Sequence, residues 1–87
     1  MHAVVIPVTF NDRSAAEDEL EGLVSEVSGT PGFVAGYWVA MSQDKGTAMI
    51  LFETEEPAQA LANMARSAPT TAVRPGTIEV GEVMAHA

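Results

Sequence analysis

Four stretches of the chain are rich in apolar and β-branched residues, and two segments between them repeat apolar residues at helical spacing. The apolar stretches read HAVVIPVTF (2–10), FVAGYWVAM (33–41), TAMILFET (47–54) and TIEVGEVMAH (77–86). Each has the length and composition of a β-strand, and the last is the most polar. The pattern predicts the order strand, helix, strand, strand, helix, strand.

The first predicted helix runs from about Arg13 to Ser28. Its apolar residues recur at the three-and-four spacing of one helix face. They are Ala16, Leu20, Leu23, Val24 and Val27. Asn11 or Asp12 is expected to cap the first turn, and Gly29 is expected to end the helix in the left-handed conformation.

The second predicted helix follows Thr54, which is placed to cap its first turn. Its expected buried face consists of Ala60, Leu61, Met64, Ala65 and Ala68. The next segment, APTTAVRPG (68–76), contains two prolines and a glycine. That composition predicts a loop before the last strand.

The stretch 33–41 does not alternate apolar and polar residues, as a strand with one side in water does. In a regular strand Phe33 and Tyr37 lie on one face and Trp38 on the other. The stretches 2–10 and 47–54 are also apolar on both faces. Three strands are therefore predicted to be covered on both sides.

The element order is that of the ferredoxin-like, split β-α-β fold (βαββαβ) of the α+β class, formed by one domain over residues 1–87. Right-handed crossovers place both helices on one face of a four-stranded antiparallel sheet. The chain has no further segment to cover the other face, so a second copy is predicted to cover it, giving a homodimer. Pro7 falls in a central strand, where it removes a ladder hydrogen bond, and a bulge is expected there.

Charge narrows the range of partners. Twelve acidic and four basic residues give a net charge of −8, which repels nucleic acid and anionic membrane surfaces. There is no cysteine, and no apolar run approaches the ~20 residues that span a bilayer. The amino-terminal residues lack the basic start of a signal peptide, so a cytoplasmic protein is expected.

Three segments carry a resemblance that covers nearly the whole chain: PGFVAGYWV (31–39), AMILFETEEPAQALANM (48–64) and EVGEVMA (79–85). They resemble the dimeric α+β barrel superfamily, in particular its antibiotic-biosynthesis-monooxygenase branch. The resemblance implies a ferredoxin-like protomer that dimerises through its sheet face and holds a ligand cavity between sheet and helices. Family members include cofactor-free quinol or anthrone monooxygenases, haem-degrading enzymes and proteins with no assigned reaction.

The function implied by the resemblance is a cofactor-independent, monooxygenase-like oxidoreductase acting on a small aromatic substrate of the quinol type. The alternative is a non-catalytic module that binds a small molecule or serves dimerisation. Family enzymes often carry a Glu, a Trp two residues later and a His on the next helix. Glu53 matches the first position, whereas Glu55 and Met64 stand at the other two. Whether the protein is an enzyme is left open, and no cofactor is expected.

Six residues are candidates for the ligand pocket: Tyr37, Trp38, Phe52, Glu53, Met64 and Arg74. Aromatic and methionine side chains can form pocket walls, but they also serve as ordinary core residues, and the face occupied by Trp38 is left open. The carboxylate of Glu53 is a candidate base, and Arg74 can hold an anion or pair with a carboxylate. His2 and His86 are weaker candidates, since they lie near the chain ends. No metal site is predicted.

Overall fold

A computed structural model describes residues 1–68 and 72–87 and contains five strands and two helices. The elements run β1 (His2–Phe10), α1 (Arg13–Ser28), β2 (Phe33–Ala40), β3 (Lys45–Phe52), α2 (Glu55–Ser67), β4 (Val73–Pro75) and β5 (Glu79–Glu82). The sheet is antiparallel, with β2, β3 and β1 side by side and both β4 and β5 paired to the outer edge of β1. The predicted ferredoxin-like arrangement is confirmed.

The helices begin and end largely for local reasons. The side chain of Asp12 accepts a hydrogen bond from the Ala15 amide at 3.1 Å and so caps α1. Thr54 is the N-cap residue of α2, but its side chain makes no capping hydrogen bond. The expectation for Gly29 was wrong, because its φ of −82° is right-handed. The left-handed glycine is Gly32, with φ 86°, in the turn before β2.

The core lies between the sheet and the two helices. The most deeply buried large side chains are those of Val4, Ile50 and Phe52. Two fully buried alanines of α2, Ala58 and Ala62, pack against them. Their small size lets the helix approach the sheet closely. Among residues 1–68 and 72–87, no helix is long and apolar enough to cross a membrane.

A bulge in β2 changes which residues share a face. Phe33 pairs with Phe52, but the next pair along the strand is Ala35 with Leu51, so the register shifts at Val34. Phe33 therefore shares the helix-covered face with Trp38, while Tyr37 lies on the opposite face. The expectation that Phe33 and Tyr37 share a face was wrong, since one extra residue reverses the alternation.

The predicted last strand is interrupted opposite Pro7. The segment Val73–Pro75 pairs with Val8–Phe10, and Glu79–Glu82 pairs with His2–Val5. Residues 68–76 were predicted as a loop, which was wrong for the three residues of β4. The loop predicted over 69–71 lies outside the described residues.

Pro7 stays in regular register with Thr47 of β3, so the bulge expected in β1 is absent at that pair. The Pro7 carbonyl accepts a hydrogen bond from the Gly76 amide at 2.8 Å. Because the N and O of a strand residue point to the same neighbour, the missing N–H of Pro7 faces the gap between β4 and β5. The pairing of β1 with β3 therefore stays regular, and the interruption lies in the edge strand between β4 and β5.

Candidate ligand cavity

A cavity of about 1110 Å³ lies between the helix-covered face of the sheet and the two helices. Its volume is slightly above the usual range for small-molecule sites. The sheet supplies an apolar floor that includes Ile6, Val8, Trp38, Ala48 and Ile50. The helices supply walls that include Leu20, Leu23, Leu61, Met64 and Ala65.

The helices leave this space because, among the described residues, α1 contributes only Val27 to the buried core cluster. Its buried residues are Ala16 and Val27, whereas Leu23 near its middle is 46% exposed. The inward positions of the sheet beneath include glycines and Ala48. Small floor residues and a helix that stands away from the sheet together account for the volume.

Two aromatic rings lie over glycines of the floor. A Cβ on Gly36 would stand 2.6 Å from the Cη2 atom of Trp38, and a Cβ on Gly46 would stand 2.8 Å from the Cζ atom of Phe10. Both rings therefore occupy space that a larger residue would take. The guanidinium of Arg13 lies 5.7 Å from the centre of the Phe10 ring, within cation–π distance.

Polar groups on the lining are few and lie mainly on helices and turns. The charged residues are Arg13, Glu17, Glu19, Glu26 and Glu56. Arg13 and Glu17 form an ion pair at 3.2 Å. No polar or charged residue in the part of the chain that the structure describes is buried. The cavity is thus an apolar chamber with charges at its margins.

Two of the six pocket candidates line this cavity and four do not. Trp38 is part of the floor, and Met64 projects from α2 with 60% of its surface exposed. Tyr37 lies on the opposite sheet face, 58% exposed, because it alternates with Trp38. Phe52 is fully buried in the core, where its ring meets Phe33 edge-on at 6.3 Å.

The two charged candidates also lie away from the cavity. Glu53 is exposed just after β3, where its amide donates to the Gly32 carbonyl at 2.8 Å. Arg74 is exposed on β4 and pairs in register with Thr9. Both positions come at the end of a strand or on its edge, where a charged side chain keeps its water.

The two histidines lie in different surroundings. His2 begins β1 opposite Glu82 and is half-buried, and its Nδ1 atom is buried without a hydrogen-bond partner. His86 follows β5 by four residues and is exposed. Among residues 1–68 and 72–87, no three His, Cys, Asp or Glu side chains are grouped as metal ligands would be.

Two lining residues, Phe10 and Arg13, were not predicted from the sequence as part of a site. Phe10 ends β1 and Arg13 begins α1, on either side of the capping residue Asp12. Their spacing was the available signal, because an aromatic residue and a cation three positions apart can come into contact where the chain turns into a helix.

No protein-family model and no curated protein matches this sequence. Similarity appears instead in solved structures. The NE2512 protein of unknown function from Nitrosomonas europaea is 20% identical with a TM-score of 0.75, covering 99% of this chain and 91% of its own. The heme-degrader MhuD from Mycobacterium tuberculosis, with two hemes bound in its active site, is 20% identical with a TM-score of 0.55, covering 97% and 98%.

A mutant of MhuD with two manganese protoporphyrin IX molecules bound per active site is 15% identical, with a TM-score of 0.61. That comparison covers 100% of this chain and 98% of the other. At these identities the likeness concerns the fold, and it extends over whole chains of nearly equal length. The chain thus shares its ferredoxin-like fold with these structures.

Proposed function

We propose that this protein is a homodimer that binds a small planar aromatic molecule in the cavity between its sheet and helices. The observation that carries the proposal is an apolar chamber of about 1110 Å³ with the Trp38 ring on its floor. Apolar walls with few polar groups are typical of sites for hydrophobic ligands. An indole on such a floor offers a flat surface for stacking.

Haem is one planar ligand to test, because the MhuD structures contain porphyrins. Haem iron is usually held by a His, Cys, Met or Tyr side chain. Among the described lining residues there is no His, Cys or Tyr, and Met64 supplies the only sulfur. The lining therefore fits a planar aromatic molecule better than it fits a group held through its metal.

A second candidate is oxygenation of a quinol that supplies its own electrons to dioxygen. The fold shared with a heme-degrader and the apolar cavity favour it. However, Glu53 lies outside the cavity, and the carboxylates of the lining are at its margins. The apolar cavity and its Trp38 floor support binding, whereas no candidate base of the sequence lies on the described lining. Binding is therefore proposed first.

The test is a titration of the protein with a neutral quinone, a flavonoid and haem while the emission of Trp38 is followed. Trp38 is the single tryptophan, so quenching reports on the cavity floor. We expect saturable quenching by at least one planar compound. Oxygen uptake measured with each compound that quenches then separates turnover from binding.

Two neighbouring substitutions on α2 make the titration specific. Ala60 and Gln59 are both exposed, but only Ala60 lines the cavity. A phenyl group at position 60 would compete with the ligand for space in the cavity, so Ala60→Phe is expected to raise the Kd at least about tenfold. Gln59→Phe is expected to leave it unchanged. Equal effects of both substitutions, or no quenching in the unaltered protein, would contradict a ligand in this cavity.

The homodimer is proposed from the other face of the sheet. Tyr37 and Met49 pair across β2 and β3 and are 58% and 44% exposed, and Val5 continues their row on β1. Val39 is 48% exposed farther along β2. A second copy of the same face would bury these side chains. A cytoplasmic location remains a prediction.

A further inference from the structure

The charges that line the cavity are unevenly distributed. Four acidic residues contribute to its lining, and all four are exposed: Glu17, Glu19, Glu26 and Glu56. Three of them lie on α1 and one on α2. Acidic residues therefore flank the apolar chamber on both helices.

The one cation on the described lining, Arg13, is already engaged. Its Nε atom lies 3.2 Å from the Glu17 Oε1 atom, and its Nη1 atom donates to the Ser42 carbonyl at 3.4 Å. Its guanidinium also lies against the Phe10 ring. To hold an anionic ligand Arg13 would have to give up these contacts.

The three other cations of the sequence, Lys45, Arg66 and Arg74, are absent from the described lining. Arg66 donates to the Ile78 carbonyl at 2.9 Å and to the Asn63 side chain at 3.1 Å. The net charge of −8 adds a negative field around the whole protein. Nothing in the described part of the chain offers an anionic ligand a free counter-charge at the cavity.

We infer that the cavity selects planar aromatic ligands that are neutral or cationic and discriminates against those that carry a carboxylate. This inference rests on the proposed function, because it assigns the charge of the ligand in that same site. It separates this cavity from sites for acidic porphyrins, whose carboxylates would lie among the glutamates. Glu19, Glu26 and Glu56 are its specificity-determining residues, because the carboxylate of Glu17 is paired with Arg13.

The experiment uses three ligands with one ring system and one-carbon substituents of different charge: aminomethyl anthracene, anthracene methanol and anthracene carboxylate. Their affinities are measured from quenching of Trp38 at low salt, near 10 mM, where charges act over about 30 Å. We expect the amine to bind about tenfold or more tightly than the carboxylate, with the alcohol between them. The difference is expected to shrink at 150 mM salt, where screening acts within about 8 Å.

A matched pair of threefold variants separates the cavity charges from the overall charge. The first replaces Glu19, Glu26 and Glu56 by Gln and keeps Glu17, so that Arg13 stays paired. The second replaces three exposed acids away from the lining, through Asp18→Asn, Glu21→Gln and Glu53→Gln. Each removes three negative charges, so the net charge changes from −8 to −5 in both. The first is expected to abolish the preference for the amine, and the second to retain most of it.

The outcomes distinguish this inference from the function on which it rests. Equal affinities for the three ligands, or tighter binding of the carboxylate, would overturn the charge selection while leaving a binding cavity. Equal loss of preference in both threefold variants would also overturn it, because the overall charge would then suffice. Absence of quenching by all three ligands would remove both the inference and the proposed function.

Discussion

At the scale of single residues, the position of Trp38 depends on the absence of a side chain at Gly36. The two residues lie on the same sheet face, two positions apart on β2, and the indole occupies the place of a Cβ on Gly36. The sequence shows a glycine next to aromatic residues, which is compatible with a bulge, a turn or a close approach. The structure identifies the close approach.

Substitution of Gly36 by Ala is expected to move the indole, because the new methyl group would lie 2.6 Å from Cη2 and 2.7 Å from Cζ3. The ring can shift into the cavity, so the expected cost in stability is only about 1–2 kcal/mol. The emission maximum and near-ultraviolet circular dichroism of Trp38 should change, and quenching by a bound ligand should weaken.

Gly81→Ala is the control for this prediction. Gly81 also lies in a strand, but its Cβ would meet nothing within 4 Å. The Trp38 signals are expected to stay the same in that variant. If Gly36→Ala likewise left the spectra and the affinity unchanged, the proposed packing of the indole on Gly36 would be wrong.

At the scale of elements, the division of the last strand into β4 and β5 compensates for Pro7. The gap leaves Gly76 and Ile78 between two paired segments, and the backbone of each makes a hydrogen bond. The Gly76 amide donates to the Pro7 carbonyl, and the Ile78 carbonyl accepts from Arg66 Nη2. A side chain from α2 thus donates to a backbone carbonyl at the edge of the sheet.

Arg66→Met is expected to lower the free energy of unfolding by about 1 kcal/mol, because it keeps most of the aliphatic stem but leaves the Ile78 carbonyl without that charged donor. Urea unfolding at a fixed protein concentration measures the change. Arg74→Met, on the exposed part of β4, removes the same charge and is the control. Identical midpoints for the two variants would mean that the Arg66 hydrogen bond contributes nothing measurable.

At the scale of the whole molecule, the chain has two apolar sheet faces that differ in what covers them. The helix-covered face borders the cavity, whereas the other face presents Tyr37 and Met49 to the outside. A small chain that leaves such a face in water gives up much of the stability that burial can supply. Association through this face would restore it.

Met49→Glu is expected to convert the proposed dimer into monomers at micromolar concentration, since it would place a like charge on each copy in the proposed contact. Sedimentation velocity measures the change in mass. Met84→Glu introduces the same charge at a methionine that is 96% exposed and is expected to leave the dimer intact. A monomeric unaltered protein, or a dimer that tolerates Glu at position 49, would rule out this interface.

Much of the architecture follows from the sequence by itself, because it depends on local periodicity and local chemistry. Apolar runs and helical spacing determine the order of the elements. Asp12 marks the start of α1 because its side chain accepts a hydrogen bond from the amide of Ala15, three residues later. The apolar content of both strand faces is also a property of the sequence. It indicates that something must cover each face.

Only the tertiary structure decides which residues face the cavity and how large the cavity is. The shift at Val34 reverses the alternation at the start of β2, so no count along the strand could place Phe33 and Trp38 on one face. Pro7 is accommodated by the gap between β4 and β5, which lie more than sixty residues away in the sequence. The cavity volume depends on how far α1 stands from the sheet, which is set by packing between distant segments and by no local pattern.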